Sequence, residues 1–425
     1  MDSGTRALPH DGLTFDAESA SRAPRVPRSL LGRSLTRLAR ELLDHVQAGR
    51  IELRLPDGQR LHGEGATHGP EAAIHLHRWR PLWRMLLRGD IGLAESYRDG
   101  DWSTPDLTAL LEAGIRNDAT WDNRLAAAWP LRLLLRLMHL RRDNTRRGSR
   151  RNIAFHYDLG NDFYRQWLDA DLIYSSGIYR RTDDTLEQAQ AEKLRRIVEL
   201  LRLPAGDAPV DVLEIGCGWG ALACSLAQTS GARVTGLTLS SEQLVHAQQR
   251  VEREGLAGRV DLRLQDYRAV DGQYDRIVSI EMIEAVGERH WPTYFRTMYE
   301  RLKPGGIAVI QAITIDDERF EHYRQNVDFI QRFIFPGGML PSPGALHRET
   351  TCAGLELEAS ETFGASYAAT LVEWRRRFRT AWPQIAALGF DAAFARLWEY
   401  YLCYCEAGFR SRRVDVGLYV MRRPA

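Results

Sequence analysis

The residues with the most chemical promise sit in one short run. Gly216-Cys217-Gly218-Trp219-Gly220 follows a buried-strand pattern at Val210–Ile215 and opens a helical run at Ala221–Gln228. Glycines at alternate positions let a backbone turn tightly and approach a ligand closely, with helix N–H groups facing it. Alone, the spacing does not separate one nucleotide-type ligand from another, and it is sometimes only a tight turn. The residues downstream are more informative. A dinucleotide site wants an Asp or Glu about 20 residues on, for the ribose, but the second strand, Ala232–Leu237, runs into Thr238-Leu239-Ser240. The third glycine of a GxGxxG loop is missing too, because Leu222 follows Ala221. Among the carboxylates, Glu284 stands after a strand and beside apolar residues, where it reads either as a catalytic group or as a capping or ion-paired one. Tyr367 reads equally as a site residue or as core with a satisfied hydroxyl.

These residues need a sheet to hold them. Strand and helix patterns alternate from about residue 186 to 315, which predicts a parallel sheet with covering helices. Leu264-Gln265-Asp266-Tyr267 follows a third strand, and Tyr274-Asp275-Arg276-Ile277-Val278-Ser279 forms a fourth. Leu302-Lys303-Pro304-Gly305-Gly306 predicts a turn before a fifth strand at Ile307–Gln311. Taken together the series resembles the class I methyltransferases, which use S-adenosylmethionine. Upstream, Ser29–Val46 predicts a helix with leucines on one face, and Ile51–Leu61 predicts a hairpin around Pro56-Asp57-Gly58. Residues 70–128 read as mixed and mostly helical, with Gly89–Ser103 lying between elements. The expected organisation is a flexible tail at 1–28, a smaller, mostly helical N-terminal domain at 29–150 and an α/β Rossmann-like catalytic domain at 151–425. The boundary falls near Arg146–Arg151, and the chain ends in a strand at Asp415–Met421.

Composition narrows the class. The chain has 425 residues, 44% apolar and 27% charged, with Lys+Arg 57 against Asp+Glu 56. That is a globular balance, and it predicts no polyanionic partner. Lys193 and Lys303 are the only lysines, a bias that a GC-rich genome explains as well as function does. The longest apolar runs, such as Leu131–Leu140, are interrupted by arginine, short of the roughly 20 residues a spanning helix needs. Residues 1–28 carry no apolar core of the signal-peptide kind. The cysteines at 217, 224, 352, 403 and 405 fit neither a disulfide framework nor a paired zinc site. A cytoplasmic protein with reduced thiols and no metal is expected.

Segments outside the shared core sharpen the resemblance. Phe155-His156-Tyr157-Asp158-Leu159-Gly160-Asn161-Asp162-Phe163-Tyr164, then Tyr174-Ser175-Ser176, is similar to the start of the catalytic part of the cyclopropane-fatty-acyl-phospholipid synthases. Leu213–Gly220, Thr238-Leu239-Ser240-Ser241-Glu242-Gln243, Gln265-Asp266-Tyr267-Arg268, Ile334-Phe335-Pro336-Gly337-Gly338, Phe363-Gly364-Ala365-Ser366-Tyr367 and Tyr400-Tyr401-Leu402 fit that family too. The resemblance implies methyl transfer from S-adenosylmethionine to a cis double bond of a phospholipid acyl chain, followed by cyclopropane closure. An alkene is a weak nucleophile and a sulfonium methyl a strong electrophile, so positioning carries much of the work.

By the same resemblance, Tyr174, Ser175, Gly216, Gly218, Gly220, Thr238, Ser240, Gln243, Gln265 and Asp266 contact S-adenosylmethionine. The family holds a bicarbonate ion as the base that removes a proton from the new methyl group. Carried over, its pocket comprises the backbone of Ser176, where the family has Cys, together with Glu284, Tyr367 and Gln311, where the family has His. Ala285 replaces the usual His after the Glu. Gln311 can still donate to an oxyanion, but it cannot carry a second proton. Cys405 matches a cysteine considered as a nucleophile in that family. Because the alkene itself attacks, a buried structural thiol is expected there. Phe329, Phe333, Phe335 and Trp374 would face a cation or line an acyl tunnel.

Trp129–Asn152 carries eight arginines and one acid beside a leucine face. It reads as a solvated surface or, as favoured here, a contact with anionic lipid. No stacking or groove-reading motif points to nucleic acid. The partners implied are an unsaturated phospholipid in a bilayer, the inner membrane face as a peripheral docking surface, and a second copy of the chain in a homodimer. The rival readings are a lipid C-methyltransferase leaving a methylene or methyl branch, a phospholipid headgroup N-methyltransferase, and a non-enzymatic lipid-binding scaffold.

Overall fold

The computed structural model describes residues 30–122, 159–203 and 209–425. The predicted tail, the basic run at Trp129–Asn152, the boundary near Arg146–Arg151 and residues 155–158 lie outside the described residues.

The larger sheet has seven strands. They are β5 (Asp211–Ile215), β6 (Arg233–Thr238), β7 (Val260–Leu264), β8 (Tyr274–Ile280), β9 (Leu302–Ile315), β10 (Glu356–Thr362) and β11 (Val414–Arg422), in the order β10-β11-β9-β8-β5-β6-β7. The central strands pair in parallel, while β11 pairs antiparallel with both β9 and β10. Val212, Val278 and Val309 pack on one face, and Leu213, Ile277 and Ile310 on the other. A sheet buried on both sides gives continuous apolar runs rather than alternation, which is why these strands are visible in the sequence. This is the expected α/β class I methyltransferase architecture.

The predicted turn at 302–306 is instead part of β9. Tyr274 pairs with Leu302, but Arg276 pairs with Ile307, so the extra residues bulge out of the ladder. Gly305, at φ 74°, absorbs the distortion.

The smaller sheet, β2-β1-β3-β4, belongs to the N-terminal part. The hairpin forms as expected, β1 (Ala48–Arg54) pairing antiparallel with β2 (Arg60–Glu64). β3 (Thr67–Leu76) then runs parallel to β1, a strand within a stretch read as mostly helical. Helices α1 (Leu30–Leu43), α2 (Arg80–Arg98) and α3 (Leu107–Asp122) accompany this sheet, and β4 (Trp102–Ser103) closes it. The Gly89–Ser103 stretch does not lie between elements. Most of it is α2, which breaks at Gly89 (φ 58°, ψ −138°), a backbone shape open to glycine alone.

The N-terminal part packs on the long helix α4 (Ala392–Arg410), and one apolar cluster runs through both, from Leu53 and Trp102 to Trp398 and Leu402. Polar ties reinforce the contact. Thr108 donates to Glu406 at 2.9 Å, and Arg396 donates to the Arg98 carbonyl at 2.8 Å.

Candidate active site

Ligands of open α/β sheets sit beyond the carboxyl ends of the strands, and the candidate cofactor residues gather there. The glycine loop leaves β5 with Gly216, Gly218 and Gly220 at φ 88°, 52° and 84°. Residues with a Cβ rarely adopt this region. A Cβ on Gly218 would meet no atom within 4 Å, so the loop leaves open room at that position.

After β6, the Thr238 hydroxyl bonds the Gln243 side chain at 2.9 Å, and Ser240 caps the next helix by accepting from the Gln243 N–H. After β7, Gln265 donates to the Ala269 carbonyl, and Arg268 grips Asp266 with two N–H groups at 2.8 and 2.6 Å. Ser175 accepts from Lys193 Nζ at 2.6 Å, and the Tyr174 hydroxyl meets that of Tyr401 at 2.8 Å. The loop's glycines and open room fit an adenosyl group. Thr238, Gln243, Gln265 and Asp266 are already tied to neighbours, so any contact they make with it uses remaining lone pairs and donors.

The anion pocket departs from expectation. Ser176 N–H, Gln311 Nε2 and Tyr367 Oη do converge, but on a carboxylate of this chain, Glu281, that is not among the expected site residues. Glu281 Oε1 accepts from Ser176 N at 2.9 Å and from Gln311 Nε2 at 2.6 Å, and Oε2 accepts from Tyr367 Oη at 2.7 Å. The donors expected to hold bicarbonate are spent, so these residues do not fit that ion. Glu281 itself sits at φ 47°, a strained backbone for a residue with a side chain. The Ser176 hydroxyl turns away, to the Gly177 carbonyl.

Glu284 stands beside this cluster. Its Oε1 accepts from the Ile313 N–H at 2.6 Å, and its Oε2 is buried without a partner. Burial, then the neighbouring Glu281 charge, pushes Glu284 up to about 8. Burial also raises Glu281, opposed by its N–H and O–H donors and by the Lys193 cation. Lys193, fully buried, is pushed down to about 8 by desolvation. Two carboxylates in one pocket do not both ionise readily. The donor set therefore favours Glu281 over Glu284 as the carboxylate that carries the charge.

Cys405 lies close by, its thiol pushed up by burial, and Asp328, Cys403 and Glu281 act in the same direction. Such a thiol is a poor nucleophile. Of the four aromatic residues singled out in the sequence, only Phe335 borders the cavity beside Glu281 and Glu284; Tyr174, Tyr367, Tyr401 and Phe409 border it as well. Trp374 is core, packed between Trp167 and Tyr174.

The sequence model of the family described as mycolic acid cyclopropane synthetase matches residues 144–418. The chain belongs to that family. It is therefore an S-adenosylmethionine-dependent C-methyltransferase, and lipids are the substrate class of its relatives. A tuberculostearic acid methyltransferase of Mycobacterium tuberculosis is 38% identical over 96% of both chains. The cyclopropane-fatty-acyl-phospholipid synthase of Escherichia coli is 38% identical over 80% of this chain and 85% of its own. Among solved structures, the mycolic acid cyclopropane synthase CmaA1 complexed with SAH and CTAB is 29% identical. It superposes with a TM-score of 0.60 over 64% of this chain and 98% of that one. Among the described residues of the present family member, no group of side chains is arranged to hold a metal, and no helix is long and apolar enough to cross a membrane.

Proposed function

We propose that the protein methylates a cis double bond in an unsaturated phospholipid acyl chain, and that Glu281 rather than bicarbonate takes up the proton released. The observation that carries this reading is the convergence of Ser176, Gln311 and Tyr367 on the Glu281 carboxylate.

Tyr174, Ser175, the glycines at 216, 218 and 220, Thr238, Ser240, Gln243, Gln265 and Asp266 would hold S-adenosylmethionine. Bound there, it supplies an electrophilic methyl group. The alkene carbon forms the new bond to that methyl, and the neighbouring carbon is left electron-deficient. Tyr174, Phe335, Tyr367 and Tyr401 line this part of the cavity, and aromatic faces stabilise cations. Glu281 then accepts a proton from the added methyl group. If a hydride first moves from the methyl-bearing carbon to its neighbour, proton loss leaves a methylene branch. If the proton leaves first, its bonding pair closes a cyclopropane.

A carboxylate whose lone pairs already accept three hydrogen bonds is a sluggish base toward carbon. The longer-lived cation has time for hydride to leave the methyl-bearing carbon, which moves the positive charge onto that more substituted centre and favours the methylene product. The 38% identity to a tuberculostearic acid methyltransferase over 96% of both chains supports the same choice. Cyclopropane closure remains the second reading, supported by the Escherichia coli relative. The substrate's place in a bilayer asks for a peripheral, lipid-engaging region, the role we give to residues 29–150.

The test is purified enzyme on phosphatidylglycerol vesicles carrying cis-Δ9 chains, with bicarbonate removed and restored. Methylene and cyclopropane products share one mass, so ozonolysis before mass spectrometry separates them. A methylene-branched product indifferent to bicarbonate is expected. Cyclopropane formed only with bicarbonate would overturn the role given to Glu281.

A further inference from the structure

We infer that residues 30–122 form one wall of the acyl-chain site, with Gly114 setting how much chain is accepted on one side of the reacting double bond. This rests on the lipid reading above. A single cavity of about 850 Å³ joins the two halves of the protein. Glu281, Glu284 and Tyr401 border it on the catalytic side, and Leu42, Leu53, Leu76 and Leu110 on the N-terminal side. An acyl chain has no hydrogen-bonding groups along its length, so a largely aliphatic wall continuous with the carboxylate cluster matches it chemically.

Gly114 is the informative position. It lies within α3, where glycine is a poor helix former, and it borders the cavity together with Leu111 and Leu110, three and four residues earlier on the same face. A Cβ there would meet no atom within 4 Å. The helix thus leaves open room where any other residue would project into the cavity. Gly89, at the break in α2, also borders the cavity, and a Cβ there would likewise meet nothing.

The wall is fixed in place. Asp118, one turn beyond Gly114, pairs with both Arg319 and Arg413 of the catalytic half, and Thr108 is bonded to Glu406. The family's sequence model begins at residue 144, so this wall lies outside the part of the fold that defines the family.

The experiment uses the full chain and phosphatidylglycerol vesicles in two substrate series. One varies the number of carbons between ester and double bond, the other between double bond and methyl end. Gly114→Leu should lose about tenfold or more activity on the longer members of one series and keep near-normal activity on the shortest, the scale of a methylene misfit in an apolar pocket. Leu110→Ala should shift preference the opposite way. Binding of S-adenosylhomocysteine, unchanged in both variants, reports an intact catalytic half. If Gly114→Leu does not fold, Gly114→Ala carries the test, with a smaller shift in the same direction. Wild-type preference in both series for the folded variants would overturn the inference alone. No methylation of any vesicle by the wild type would instead overturn the lipid reading beneath it.

Discussion

Replacing Glu281 by glycine separates a built-in base from a borrowed one. The position already has a glycine-like backbone, at φ 47°, and its N–H is held by the Gln311 carbonyl at 2.8 Å. Glycine relieves a left-handed strain of about 1–2 kcal/mol. Against that, Ser176 N–H, Gln311 Nε2 and Tyr367 Oη lose their shared acceptor. A buried donor left unpaired costs about 1–3 kcal/mol, but Glu281 and Tyr367 border the cavity, so the space the side chain vacates is open to water, and a buried charge disappears with it. The variant should therefore fold. Its turnover should fall by about 10²–10⁴, the contribution of a positioned general base, or about 3–5 kcal/mol in barrier. Bicarbonate should restore activity saturably, because the three donors then surround a carboxylate-sized void. Glu281→Gln should be as slow and should not be rescued, since its amide fills that void. The assay is S-adenosylhomocysteine release from vesicles, with bicarbonate titrated into degassed buffer. Full turnover of the glycine variant without bicarbonate, or equal rescue of both variants, would refute the reasoning.

Gly218→Val should abolish S-adenosylhomocysteine binding, measured by calorimetry, because φ 52° is hostile to a β-branched residue and the open space beside the loop is lost; normal affinity in the folded variant would sink the cofactor assignment. Cys405→Ala should keep turnover within a factor of a few, since its raised thiol is not a nucleophile; complete loss at unchanged Tm would revive covalent chemistry. The carboxyl of Glu284, raised to about 8, keeps a proton in the fold that the unfolded chain sheds above its ordinary 4.5. Its contribution to stability is thus complete below 4.5 and is lost as pH rises toward 8, by at most about 1.4 kcal/mol per pH unit. Denaturant midpoints of Glu284→Gln should show a shallower decline across that window than the wild type, and an identical slope would show that Glu284 does not titrate there.

The central sheet was legible because its strands are buried on both faces. Ile277 to Val278 and Ile307 to Ile310 read as short apolar runs, and Val212-Leu213 and Ile215 as one broken only by Glu214. β3 was not legible, for a reason that is equally physical. Gly69 and Pro70 resemble a turn, yet a Cβ on Gly69 would lie 2.7 Å from the Gly49 nitrogen, so glycine is there to let two strands approach. Its parallel partner β1 is non-local, and no local pattern reports such a pairing. The bulge in β9 hid behind the same ambiguity, since Pro304-Gly305-Gly306 suits a turn and a kinked strand alike.

The anion pocket shows where residue-by-residue transfer from a family stops working. Ser176, Gln311 and Tyr367 were each located by their neighbours in sequence, and they do meet in space. What they hold is decided by a fourth position, Glu281, which lies outside the motifs that locate them. Two carboxylates three residues apart at the end of β8 were a usable signal, because a strand end at a sheet's carboxyl edge is where catalytic groups gather. Glu281 and Glu284 differ in what surrounds them rather than in chemistry: one takes three donors and faces Lys193, while the other has one donor and an unpartnered oxygen. Environment alone makes the first the more readily charged of the two and the second the better holder of a proton. The backbone strain at Glu281 then has a rationale, since the left-handed turn is what aims its carboxylate between Ser176, Gln311 and Tyr367. On the reading proposed above, carrying a base rather than recruiting one rests on Glu281 and the φ of 47° at which it is held.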